Sequence, residues 1–279
     1  MTLHKKRKTV KQTAEAAEPP VIAVDIGNTR VHLGLVDTAN PGCMASTAFP
    51  TERIAEELVV ALENLIASAR CETPHNATVA SVVRNAADTA VALLVRQGFQ
   101  TIRLCANTNL PFVIRYADPA MLGADRIANA IYGTSRFPAQ PLILVSAGTA
   151  VTVDYVADGA FLGGAILPGT ALQLRALHSH TDALPHVAAI TAELVAELPA
   201  RSTEACIACG VLYGITGSIA AIAQRYAALC RGRTPKIIAT GGDWPLLAPH
   251  FTMKHTHVAE MTLVGAGCYW VYHNLTSKQ

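Results

Sequence analysis

The amino-acid sequence predicts an α/β protein built of two similar halves that face each other across a cleft. Three observations lead to this. Short apolar runs bounded by Gly, Pro, Asn and Asp alternate with longer segments of helical periodicity, which is the pattern of packed helices and sheets. The run VIAVDIGNTRVHLGLV at 21–36 reads as strand, turn, strand, and PLILVSAGTAVTVDYV at 141–156 repeats it with another Gly-Thr turn. A third strand and then a helix follow in each half, so the matching order favours duplication over coincidence between two hairpins.

In chain order, strand 21–26 ends in Asp25-Ile26-Gly27-Asn28-Thr29 and resumes at 30–36, because Gly27 and Asn28 tolerate the positive φ of a hairpin turn. A third strand is expected near 43–49, a helix at 52–69, a strand at 77–83, a helix at 86–98 and a strand at 101–105. Pro111 and Pro119 make 107–122 loop-like, and GADRIANAIYGTSR then begins a helix. In the second half AFLGGAILPG supplies the third strand. Helices at 170–178 and 204–230, the strand KIIATGG and a terminal helix at 261–274 complete it. The expected units are a basic tail at 1–20, an α/β domain at 21–140 and a second α/β domain at 141–279.

The 279 residues fit two domains of typical size, and 51% hydrophobic residues are enough to bury large cores. No stretch approaches 18 uninterrupted apolar residues, and no hydrophobic segment follows the N-terminal charges. Neither a membrane span nor a secretory signal is therefore expected, and the cytoplasm is the expected compartment. The net charge of +2 divides into +3 over residues 1–18, with Lys5, Lys6, Arg7, Lys8 and Lys11 against Glu15 and Glu18, and −1 over the remainder. A short polar terminus of this kind reads as a solvated tail in preference to a nucleic-acid contact. Seven irregularly spaced cysteines read as reduced thiols. Cys206-x-x-Cys209 lies in an apolar helical pattern and reads as buried thiols; the pairs His178/His180 and His255/His257 lack acidic or thiolate companions at metal-site spacing.

Asp25 is the residue that a hairpin alone does not explain. A carboxylate at the inner end of a buried strand costs free energy unless it has a partner, and a cation or phosphate is such a partner. Phosphate is held by converging backbone N–H groups with hydroxyls nearby. Three turns offer this: Gly27-Asn28-Thr29, Gly148-Thr149 and Gly241-Gly242. None is a GxxxxGK[ST] loop or a dinucleotide fingerprint. Together they resemble the nucleotide cleft of the duplicated fold shared by actin, Hsp70 and sugar kinases.

The resemblance narrows with the ordered set Asp25-x-Gly-Asn-Thr, Tyr116, Gly123-Ala124-Asp125-Arg126, Gly148-Thr149-Ala150 with Asp154, and Gly163-Gly164-Ala165-Ile166-Leu167-Pro168-Gly169. In order and spacing, from about residue 21 to 272, the chain resembles the type III pantothenate kinase family. The resemblance implies an ATP- and Mg²⁺-dependent transfer of the γ-phosphoryl group to pantothenate, toward coenzyme A, by a homodimer. It implies that Asp25 acts at the phosphate and Mg²⁺ end, that Ile26, Gly27, Asn28, Thr29, Arg30, Val31 and His32 line the phosphate turn, and that Thr149 reaches ATP from the second hairpin. It implies further that Tyr116, Gly123, Ala124 and Arg126 hold pantothenate, that Asp125 accepts the hydroxyl proton, and that Thr203 reaches pantothenate from the neighbouring subunit. Family members commonly place an Asp two positions before the Gly of Gly-Thr-Ala, where it helps hold a monovalent cation, K⁺ or NH₄⁺. This chain has Ser146 there, and a shallow response to K⁺ is expected.

The physical reading of these residues agrees with the implied roles. Phosphoryl transfer depends on positioning and charge neutralisation more than on a strong base, so an Asp suffices. Asp125 starts a helix, whose dipole favours the ionised form, and the planar fork of Arg126 matches a carboxylate. Taken singly, Asp125 reads as a helix cap, Arg126 as a surface charge, Tyr116 as a packing aromatic and Thr203 as an N-cap. The rival class is a non-catalytic regulatory accessory factor that keeps the kinase fold. Retention of Asp25, Asp125 and Arg126 argues for the enzyme.

Overall fold

The computed structural model describes residues 19–69 and 71–277; the basic tail at 1–18 lies outside them. Strands β1 (Val21–Ile26), β2 (Arg30–Asp37) and β3 (Gly42–Pro50) form an antiparallel meander. After helix α1 (Ile54–Ser68), β4 (Asn76–Ser81) pairs parallel with β1; after α2 (Arg84–Arg96), β5 (Gln100–Leu104) pairs parallel with β4. The sheet order is β3-β2-β1-β4-β5. Helix α1 buries Ile54, Leu58, Leu62 and Leu65 along one stripe. Full burial of such side chains contributes about 1.5–3 kcal/mol each.

The stretch 107–122 is not wholly loop. Val113–Ile114 forms β6, which pairs parallel with Ala160 and Phe161 of the second half, a two-residue element too short to leave a periodic signal. Helix α3 (Ala124–Arg136) follows, then a second meander of β7 (Leu142–Ala147), β8 (Ala150–Ala157) and β9 (Ala160–Pro168). Helices α4 (Thr170–Ser179) and α5 (Thr203–Ala228) lead to β10 (Lys236–Thr240), parallel to β7. A short helix α6 (Trp244–Leu247), β11 (Thr256–His257) and α7 (Met261–Ser277) end the described chain. The second sheet runs β11-β10-β7-β8-β9-β6. Its first five strands repeat the first sheet strand for strand, with β6 added at the edge, so the duplication read from two hairpins extends to the whole sheet. The ends of the expected elements lie within three residues of these, the usual fraying of helix and strand ends.

The central strands of both sheets are buried on both faces, which is why they read as continuous apolar runs. Ile22 and Val24 face the outer core with α1 and α2, while Ala23 faces inward. Leu142 and Leu144 face inward in β7, while Ile143 and Val145 pack in the core that holds α5. Helices α3 and α7 lie in the central core, with Ile127, Ile131, Leu263 and Val264 packed between residues of the two sheets. They cross closely at Gly265, where an added Cβ would run into the Ala128 carbonyl. Helix α5, 26 residues long with an 18-residue window of mean hydropathy 1.9, is long and apolar enough by composition to cross a membrane. One face of it, with Ile207, Val211, Leu212, Ile215 and Ile219, belongs instead to the core of the second sheet.

Candidate active site

The turn after β1 closes through the Gly27 N–H donating to the Arg30 carbonyl at 3.0 Å. Thr51, just before α1, braces it: its hydroxyl donates to the Gly27 carbonyl at 2.8 Å and its N–H to the Thr29 carbonyl at 3.1 Å. In the second half the Gly148 N–H donates to the Ala150 carbonyl at 3.0 Å. The two turns meet, with the Thr29 and Thr149 hydroxyls 3.2 Å apart across 120 residues of sequence. The third Gly-rich turn starts at Gly241, with φ at +99°. Its strand pairs with β7 next to the second turn, Thr240 against Ser146.

Asn28, Thr29 and Arg30 are exposed at this corner, whereas Ile26 and Val31 are fully buried in the outer core of the first sheet. Those two offer a ligand their backbone only, because alternation along β1 and β2 turns their side chains away. Asp25 and His32 are paired across β1 and β2. Burial, reinforced by the charge of Asp125, pushes the Asp25 carboxyl up to about 7. Burial and then Arg30 hold the His32 imidazole below its ordinary value, against the pull of Glu260. Nothing in the motifs pointed to Thr51 or Glu260, since both reach the site from other elements.

A carboxyl with a higher pKa folded than unfolded binds its proton more tightly when folded. Its contribution to stability is complete below the ordinary carboxylate range and is lost as pH rises through the folded value. The ligand-free protein is therefore expected to lose thermal stability between pH 5 and pH 8. Asp25→Asn should flatten that dependence in a melting series; an unchanged slope would contradict the assignment.

Asp125 lies in the first turn of α3 behind Gly123, where an added Cβ would overlap Asp125 Oδ1 and push the carboxylate aside. That oxygen is buried and has no hydrogen-bond partner. Burial raises the Asp125 carboxyl, against the backbone N–H and the charge of Arg126, so the helix start alone does not set its ionisation. Arg126 is not a surface charge. It is 4% exposed and grips Asp154, itself 1% exposed, through Nε at 3.0 and 3.1 Å and Nη2 at 2.5 Å. Its Nη1 lies 3.5 Å from the Tyr116 hydroxyl, and its guanidinium stands 5.7 Å from the Tyr116 ring and 5.5 Å from the Phe161 ring. Burial opposes its charge, but Asp154 outweighs burial and holds the guanidinium protonated. Asp154 is raised by burial to about 6. Gly164 keeps room for the pair: a Cβ there would overlap Asp154 Oδ1 and sit 2.8 Å from Arg126 Nη2.

Ser146 is flanked in register by Thr152 and Thr240, so this row of the second sheet presents hydroxyls. Asp154, further along β8, is committed to Arg126. The cap of α5 is Ser202, whose hydroxyl accepts from the Ala205 N–H at 3.2 Å. Thr203 is the first helical residue and keeps its exposed hydroxyl free of the capping role. Among the described residues no hydrogen bond joins Thr203 to Tyr116, Asp125 or Arg126 of its own chain.

Known proteins resemble this arrangement at two levels. The glucokinase of the ROK family from Streptomyces griseus, solved with glucose and AMPPNP, superposes with a TM-score of 0.52 at 13% identity, over 89% of this chain and 98% of that one. That likeness shows the fold of sugar kinases. In sequence, the type III pantothenate kinase of Chlorobaculum parvum is 33% identical over 87% of this chain and 91% of its own. The type III pantothenate kinase of Pelobacter propionicus is 34% identical over 82% of this chain and 90% of its own. The family model described as type III pantothenate kinase matches residues 21–225, a span that includes both hairpin turns, Asp125, Arg126 and Thr203, and on this match the chain belongs to the type III pantothenate kinase family.

Proposed function

We infer that this chain transfers the γ-phosphoryl group of ATP to the primary hydroxyl of pantothenate, giving 4'-phosphopantothenate, the first step of coenzyme A biosynthesis. The observation that supports it most is the 3.2 Å meeting of Thr29 and Thr149, which joins two N–H-rich turns into one phosphate-binding corner beside Asp25. On this reading the turns hold the phosphates, Tyr116 and the Nη1 edge of Arg126 hold the acceptor, and Asp125 takes the proton as the hydroxyl oxygen bonds to phosphorus and the bond to the ADP oxygen breaks. Asp25 and Asp125 repel each other, and Mg²⁺ fits that charge because it is held by one or two carboxylates together with phosphate oxygens. No group of three His, Cys, Asp or Glu suited to a metal occurs among the described residues. When bound, Mg²⁺ neutralises charge on the transferring phosphates. The test is ADP release across a panel of small hydroxy acids. Release dependent on pantothenate alone is expected, and release independent of it would overturn the reading.

The same reading places the protein in the cytoplasm, in keeping with its seven free thiols, and divides it into units at 21–140 and 141–279 that the helices α3 and α7 join. It also makes the chain a homodimer. The outward face of α5 carries Gly210, Gly214, Gly217 and Ala221, with open space beyond each glycine, and small residues at this spacing let a partner helix approach closely. Gly214→Leu should yield monomers with little activity in light scattering and a coupled assay; a fully active monomer would contradict the dimer.

With Ser146 in a row of hydroxyls, a cation site lacks a full negative charge. Unit charges about 4 Å apart attract by roughly 1 kcal/mol in water and about 4 kcal/mol at an intermediate dielectric. The loss weakens K⁺ binding at least several-fold. The rate should respond weakly to K⁺ against a bulky organic cation at equal ionic strength, and more steeply in Ser146→Asp. A steep K⁺ requirement in the wild type, unchanged by Ser146→Asp, would refute this.

A further inference from the structure

The Arg126–Asp154 pair joins the first half of the chain to the second. Arg126 follows Asp125 in the first turn of α3, and Asp154 lies on β8 opposite Gly164 of β9. Three donor contacts tie the guanidinium to Asp154, while Asp125 Oδ1 beside it has no partner. The charged groups acting on Asp125 and its surroundings are Asp25 from β1, Arg126 from α3 and Asp154 from β8. Of these only Arg126 is a cation, and it is turned to β8.

We propose that Asp154 is a positioning residue for phosphoryl transfer: by holding the Arg126 guanidinium on β8, it fixes the first turn of α3 and leaves Asp125 Oδ1 open to the incoming hydroxyl. Without that grip the buried guanidinium is left with Asp125, on which its charge already acts. A carboxylate engaged by Arg126 is a poorer proton acceptor and is turned from the hydroxyl. The Nη1 edge of Arg126, which meets the Tyr116 hydroxyl, is set by the same grip, so one pair aligns both ends of the acceptor. This rests on the pantothenate kinase reading, and deepens it by a residue that touches neither substrate.

The experiment combines Asp154→Asn and Asp154→Glu with Asp125→Asn, in the full chain, measuring kcat, the KM for ATP and the melting temperature. Misplacement of about 1 Å costs on the order of 10²-fold in rate, so Asp154→Asn should lose about 10–100-fold in kcat with the KM for ATP nearly unchanged. At saturating pantothenate, adding it to Asp125→Asn should cost almost nothing more in kcat, since in the chemical step both act through one carboxylate. Asp154→Glu keeps the charge pair and hence the fold, yet displaces the guanidinium, and should also lose turnover non-additively. That variant decides the matter if Asp154→Asn does not fold. Full turnover in Asp154→Glu, or losses that simply multiply with that of Asp125→Asn, would overturn the proposal and leave the pair a structural tie. A wild type that does not phosphorylate pantothenate at all is the separate failure of the functional reading, and takes this proposal with it.

Discussion

Asp125→Asn is expected to fold normally and to lose turnover by about 10²–10⁴-fold, the usual effect of removing a general base. The substitution keeps the shape of the side chain in the first turn of α3 and removes its proton acceptor. It also removes a negative charge that acts on the buried carboxyl of Asp25. The melting temperature at neutral pH should therefore hold or rise while the rate falls. Steady-state kinetics and a thermal melt on the same preparation check both halves. A near-normal kcat would remove Asp125 from the chemistry, and a collapsed melt would show that its carboxylate is structural.

Arg126→Met is expected to be the most destabilising single change at the site. It strands Asp154, which is 1% exposed, as an unpaired buried charge, and breaking a buried pair from one side costs about 3–5 kcal/mol. For a chain of this size the melting temperature should fall on the order of 10 °C. Arg126→Met combined with Asp154→Leu replaces the pair with apolar groups and should recover most of that loss, because such replacements are often neutral or stabilising. Pantothenate turnover should stay lost in both variants, since Arg126 is proposed to hold the acceptor as well. Recovery of stability together with turnover would show that the guanidinium does not contact the substrate.

Much of this arrangement was legible in the sequence because it is carried by local patterns. Asp25-x-Gly-Asn-Thr and the second Gly-Thr turn announce their hairpins by interrupting apolar runs, although Gly27, Asn28 and Gly148 do not take the positive φ expected of such turns, and the repeated strand order announces the duplicated sheet. What stayed hidden depends on contacts between distant segments. Arg126 read as a surface charge because a buried arginine is unusual without a partner, and its partner lies 28 residues away on another element. Val113 and Ile114 read as loop because two residues carry no periodicity. Thr203 read as a cap because Ser202 and Thr203 are equally suited to one, and only the hydrogen bond to Ala205 separates them. Ile26 and Val31 stand inside the phosphate motif, yet strand alternation sends their side chains to the core.

The most direct test of the central claim is to incubate the protein with Mg-ATP and pantothenate and follow the phosphorus spectrum of the mixture, with Asp125→Asn run alongside. A phosphate monoester of pantothenate should appear in step with ADP in the wild type, and neither in the variant on the same timescale. ATP hydrolysis to inorganic phosphate without the monoester, or the same monoester formed equally fast by Asp125→Asn, would contradict it.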